Sequence, residues 1–131
     1  MDLLERVRGD YPGLVFRSGK KYAFRPPNTI IIGPPEADAS LLLLHELGHA
    51  VLGHQSFNTD ALRLKMERAA WEKARELAER YGVDFKDELA ERELDSYREW
   101  LDVKSRCPIC KLTRYQTSDG VYHCPRCEEV S

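Results

Sequence analysis

The chain has 131 residues, 42% hydrophobic and 32% charged, enough for one modest core and at most a small appendage. Twenty Lys and Arg against 22 Asp and Glu leave a net charge of −2, which excludes nucleic-acid binding by bulk charge, though not by a local basic patch. The longest apolar runs, Ile30–Ile32 and Leu41–Leu44, are too short to span a bilayer, and the first ten residues lack an apolar h-region and a small-residue cleavage site. A soluble, cytoplasmic protein without a membrane partner is expected.

In chain order, residues 2–9 predict a short helix closed by Gly9 and the Tyr11-Pro12-Gly13 turn. Three β-like runs follow, Leu14–Arg17, Lys21–Phe24 and Thr29–Ile32, separated by Ser18-Gly19 and by Pro26-Pro27-Asn28. They predict a small antiparallel sheet. A helix starting between Glu36 and Ser40 runs to about Gly53, a second runs from Thr59-Asp60 to Tyr81-Gly82, and a third spans roughly Phe85 to Val103. The fold class is α+β, with residues 1–104 as the main domain and 105–131 as a zinc ribbon.

The first of these long helices carries His45-Glu46-Leu47-Gly48-His49, an H-E-x-x-H motif. Histidines four residues apart on a helix lie one turn above each other, about 40° apart around the axis, so both imidazoles can reach one metal ion. Glu46 stands beside them as the catalytic base, able to take a proton from a water activated there. Leu43, Leu44, Leu47, Ala50 and Val51 fall on the opposite face, which turns the His/Glu face outward to a cleft. Gly48 costs about 1 kcal/mol of helix propensity relative to Ala and is expected to serve close approach of substrate or another segment.

A catalytic zinc takes a third protein ligand. Gly53 and His54 do not fit the H-E-x-x-H-x-x-G-x-x-H spacing, and on a continued helix His54 faces about 180° away from His45, so it is read as a helix-end residue. Glu67 is the candidate: it sits in the middle of the second helix's apolar stripe of Leu64, Ala70, Trp71, Ala74, Leu77, Ala78 and Tyr81, where a carboxylate is costly unless paired or metal-bound. An ion pair with Arg would answer the same cost. Glu93 on the third helix is a reserve ligand, and Tyr97 is either an oxyanion donor or a core tyrosine.

His45-Glu-Leu-Gly-His-Ala-Val-Leu-Gly-His54 followed by Glu67-Arg-Ala-Ala-Trp71 resembles the ImmA/IrrE group of gluzincin-type metallopeptidases, over roughly residues 12–82. The resemblance implies a zinc metalloendopeptidase with Glu67 as third zinc ligand and Ala70 as a small packing position. It also implies a narrow range of intracellular protein or peptide substrates, often regulatory proteins. Where related zincins often carry an acidic residue after the E-x-x-A alanine, this chain has Trp71.

The chain's last segment holds Cys107-Pro-Ile-Cys110 and Cys124-Pro-Arg-Cys127, two C-x-x-C knuckles with 13 residues between them. Four thiolates at this spacing predict a closed, structural zinc site on a hairpin turning at Ser118-Asp119-Gly120. His123 adjoins the set and could replace a cysteine. Arg106, Lys111, Arg114 and Arg126 with Tyr115 and Tyr122 leave nucleic acid as a weakly supported partner of the ribbon. Two other functions fit parts of the pattern. SprT-like proteases combine H-E-x-x-H with a zinc ribbon, but their third ligand is typically a later histidine. A non-catalytic zinc-ribbon binding or regulatory protein would need no turnover at the helix site.

Overall fold

The computed structural model describes residues 2–129. Helix α1 (Leu3–Asp10) leads into β1 (Val15–Ser18), β2 (Ala23–Arg25) and β3 (Thr29–Ile32); then come α2 (Ala39–Val51), α3 (Asp60–Tyr81), α4 (Asp87–Ser105), the short strands β4 (Tyr115–Gln116) and β5 (Tyr122–His123), and α5 (Pro125–Glu129). The class is α+β. Among the described residues no helix is long and apolar enough to cross a membrane.

The chain divides into two compact units, one formed by Met1–Ser56 with Met66–Asp87 and the other by Phe57–Lys65 with Glu88–Ser131. In the first unit the sheet order is β1-β3-β2, with β1 parallel and β2 antiparallel to β3, so the sheet is mixed rather than antiparallel as expected. The reason lies in β3, whose Thr-Ile-Ile-Ile sequence is the most apolar of the three. Ile30 and Ile31 point to opposite faces and are both buried, which suits a central strand. The outer strands carry Arg17, Ser18 and Arg25, polar residues tolerated at edges.

Helix α2 packs against β2 and β3 and buries Leu41, Leu43, Leu44 and Leu47. The α3 stripe of Ala70, Trp71, Ala74, Leu77, Ala78 and Tyr81 is buried as its periodicity predicts. The end of α3 is tied to α1: Arg6 donates from Nη1 to the Tyr81 carbonyl at 2.9 Å, and the Tyr81 hydroxyl donates to Asp10 at 2.6 Å. Asp2 caps α1 by accepting the Glu5 N–H at 2.8 Å.

In the second unit, β4 and β5 form the expected hairpin, closed by Gly120 at φ +85°. Asp60, at the start of α3, is buried and accepts hydrogen bonds from the Tyr122 hydroxyl at 2.7 Å and from Lys104 at 2.9 Å. Gln116 accepts the Asp60 N–H at 2.7 Å, so one aspartate links both strands of the hairpin to α3 and α4. The one-turn helix α5, with Pro125 at its first position, is an addition to the predicted elements; Pro there loses no hydrogen bond and has the right φ.

Candidate metal centres

The first centre begins with a close helix crossing. A Cβ built on Gly48 would lie 2.6 Å from the carbonyl oxygen of Ala70, so only glycine lets α2 and α3 approach this closely. Ala70 keeps its own side small. One turn before Ala70 on α3 stands Glu67, and the crossing sets it opposite the two histidines. Its Oε2 is 2.9 Å from Nε2 of His45 and its Oε1 is 3.3 Å from Nε2 of His49. The three ligand atoms all lie within 4.8 Å of one another. Glu93 is not in this group.

The His/Glu face is closed rather than turned to an open cleft. His45, Glu46 and His49 are 7–8% exposed and the Glu67 side chain 12%. Trp71 covers His45 face to face, ring centroids 4.2 Å apart and planes within 8°, and Phe24 of β2 lies parallel to His49 at 6.2 Å. An aromatic ring thus stands where a carboxylate was the alternative. Glu46 approaches Nδ1 of His45 at 3.3 Å.

The electrostatics are those of a strongly coupled cluster. Burial disfavours a charge on His45, but hydrogen bonds to Glu46 and Glu67 and the charge of both carboxylates outweigh it and lift its pKa to about 9. Burial likewise raises Glu67, yet the hydrogen bonds and charges of His45 and His49 win and hold its carboxyl well below the usual range. Without metal, His45 thus favours its protonated form beside the ionised Glu67. With a divalent ion that extra proton would be displaced, since a ligating imidazole is neutral.

His54 departs from its predicted surroundings. The expectation ran α2 to about Gly53 and placed His54 at the helix end, facing away from the histidines if the helix continued. The helix stops at Val51, Gly53 takes φ +68°, and the chain turns back, bringing Nδ1 of His54 to 2.8 Å from Nδ1 of His49. Burial and the neighbouring His49 lower the His54 pKa. Gly48, inside the histidine motif, carries no such signal; Gly53, just past the helix end, does. Tyr97, the other open case, belongs to the second unit, where its hydroxyl accepts from Arg63 at 3.3 Å under the same guanidinium's cation–π contact.

The second centre is the cysteine set. Sγ of Cys107 and Cys127 are 3.7 Å apart, those of Cys110 and Cys124 3.4 Å, and all four lie within 4.8 Å. These are free thiols rather than disulfides. A tetrahedral ion with bonds of about 2.3 Å needs sulfur atoms roughly 3.8 Å apart, which matches this spacing. Backbone N–H groups of Cys110 and Ile109 point at the Cys107 sulfur and bring its pKa down to about 6, whereas the Cys124 and Cys107 sulfurs push Cys127 up to about 12. His123 lies outside the set: it is bonded to Glu128 at 2.6 Å and stacked on Tyr115.

Set against family models, curated proteins and solved structures, the chain matches none. Function has to be read from these side chains. Both groups fit a metal ion by donor type and spacing: two imidazoles and a carboxylate in one, four thiols in the other.

Proposed function

We propose that the protein is a zinc-dependent metallopeptidase, acting on one or a few protein substrates, with a second, structural zinc in its cysteine segment. The observation that carries the reading is the convergence of His45, His49 and Glu67 from two helices, with Glu46 adjoining the same group. Three protein ligands, two histidines and one glutamate, are the donor set of hydrolytic zinc sites, which keep a fourth position open; structural sites close all four, as the cysteines do.

Zinc in the first site would supply a Lewis acid that polarises the scissile carbonyl and acidifies the attacking water. The protein's own residues do the rest. Glu67 and the two imidazoles fix the ion between α2 and α3. Glu46 accepts the water's proton and returns it to the leaving amine. Trp71 and Phe24 exclude bulk water from the histidine faces, which strengthens every charge interaction inside. The resemblance to the ImmA/IrrE group supports a narrow choice of substrate, and the closed His/Glu face agrees with that.

The test is a pair of measurements on wild type and Glu46→Gln. Both are expected to hold two zinc ions per chain. Wild type is expected to cleave quenched-fluorescent peptides or an unfolded labelled protein, and the variant to lose at least 100-fold of that rate, the contribution of a positioned general base being about 10²–10⁴. Equal rates in the two proteins, or a helix site that takes no metal, would sink the proposal in favour of a non-catalytic metal-binding protein.

A further inference from the structure

The end of α2 is a Schellman turn with an unusual occupant. The Gly53 N–H donates to the Ala50 carbonyl at 3.1 Å, and the His54 N–H donates to the His49 carbonyl at 3.0 Å, the two bonds that define this closure. Gly53 supplies the left-handed residue it requires, at φ +68°. The motif sets the residue after the glycine beside the residue five positions earlier, and that contact is commonly apolar. Here it joins two imidazoles, Nδ1 to Nδ1 at 2.8 Å with centroids 5.0 Å apart.

The chemistry of that contact is restrictive. A neutral imidazole has one N–H, and the nitrogen that binds a metal must be the other one. Nε2 of His49 faces Glu67, so it is the ligating atom, and the proton must sit on Nδ1. An Nδ1–H of His49 then needs an acceptor, and Nδ1 of His54 is 2.8 Å away. Had the proton lain on His54 instead, His49 would be left protonated on Nε2 and unable to bind.

We propose that His54 is a positioning residue: it accepts the Nδ1 proton of His49 and so holds that ring in the tautomer and orientation that present Nε2 to the metal. The inference rests on the metal-site part of the metallopeptidase reading. The role is one that carboxylates or backbone carbonyls usually fill, and here the helix terminus itself provides the acceptor. Gly53 belongs to the same device, because any side chain at φ +68° strains the turn that returns His54 to His49.

The experiment is a zinc competition titration of wild type, His54→Ala and His54→Asn, with helicity by circular dichroism and His49 ring nitrogens by long-range ¹H–¹⁵N NMR. Asn sets its side-chain oxygen close to where Nδ1 stood and can accept the same proton. Removing the acceptor is expected to weaken zinc at the helix site about 10–100-fold, with Asn restoring most of it and the cysteine site unchanged. The wild-type spectrum should show His49 protonated on Nδ1. Unchanged affinity in His54→Ala, equal losses in Ala and Asn, or His49 protonated on Nε2 in the zinc-loaded protein would each overturn the inference. A wild-type helix site that binds no zinc is a different failure: it removes the metallopeptidase reading, as does zinc binding without any Glu46-dependent cleavage, whereas in the second case His54 can still be scored by affinity.

Discussion

His45, His49 and Glu67 stand on helices that bury Leu44, Leu47, Ala70, Trp71, Ala74 and Leu77, so their backbone is held by apolar packing before any ion arrives. Cys107 and Cys110 stand on a tight turn and Cys124 and Cys127 at the one-turn helix α5, in a unit whose described residues bury only Leu89, Ala90, Leu94 and two of the cysteines themselves as hydrophobic groups. One centre is presented by a core; the other has to substitute for one. The lesson is that two sets of ligands can suit a metal ion for different reasons, according to what holds the ligands in place when the ion is absent.

That contrast is most exposed by stripping the metal. A structural zinc contributes on the order of 10 kcal/mol in small domains. Chelation is therefore expected to abolish hydrogen-exchange protection of the amides of Cys107, Lys111 and Thr117, while those of Leu44, Leu47 and Ala74 stay protected. Equal loss in both units would break the comparison. Next in size is Glu67→Ala, which under the proposed reading removes one ligand of three; elemental analysis should then fall from two zinc ions to one, the one remaining being released by thiol modification.

A smaller effect sharpens the packing side. Gly48→Ala pushes a methyl to within 2.6 Å of the Ala70 carbonyl oxygen. Overpacking of this kind costs about 1–3 kcal/mol. The loss in denaturant midpoint should come with weaker zinc binding, because the same shift carries Glu67 away from the histidines. Stability lost with no change in zinc affinity would mean the crossing does not control the ligand.

The smallest expected effect concerns Asp60, the polar fastener of the second unit. Burial opposes its charge, but Lys104 and the Tyr122 hydroxyl outweigh burial and hold its carboxyl below the usual range. A depressed carboxyl stabilises above its unfolded pKa of about 3.9, and the contribution disappears as pH falls through the lower folded value. Asp60→Asn should therefore cost about 1 kcal/mol at pH 7, and the gap from wild type should shrink toward pH 3 in chemical denaturation. A gap that is flat with pH would assign the loss to shape rather than charge.

Glu67 is legible beside the histidines because helical periodicity is strong over 22 residues and a carboxylate in an apolar stripe stands out. The cysteine cluster is legible because spacing alone carries it. The strand order is not, since three short runs can pair in several ways and only burial of the whole decides that Thr29–Ile32 takes the centre. The closed His/Glu face escapes too. Periodicity on α2 shows which side is apolar, but not that Trp71 and Phe24 cover the other. His54 escapes because the helix ends at Val51 and Gly53, just past that end, turns the chain back toward His49.

Trp71 lying flat on His45 has an optical consequence. An excited indole gives up an electron readily to a protonated imidazole at close contact, so Trp71 emission is expected to be quenched while His45 carries its extra proton. Exchange of that proton for a metal ion would change the yield. The chain has only two tryptophans, and Trp100 belongs to the other unit. In a Trp100→Phe background, the protein carries its own gauge of whether the helix site is filled, read in real time and blind to the cysteines.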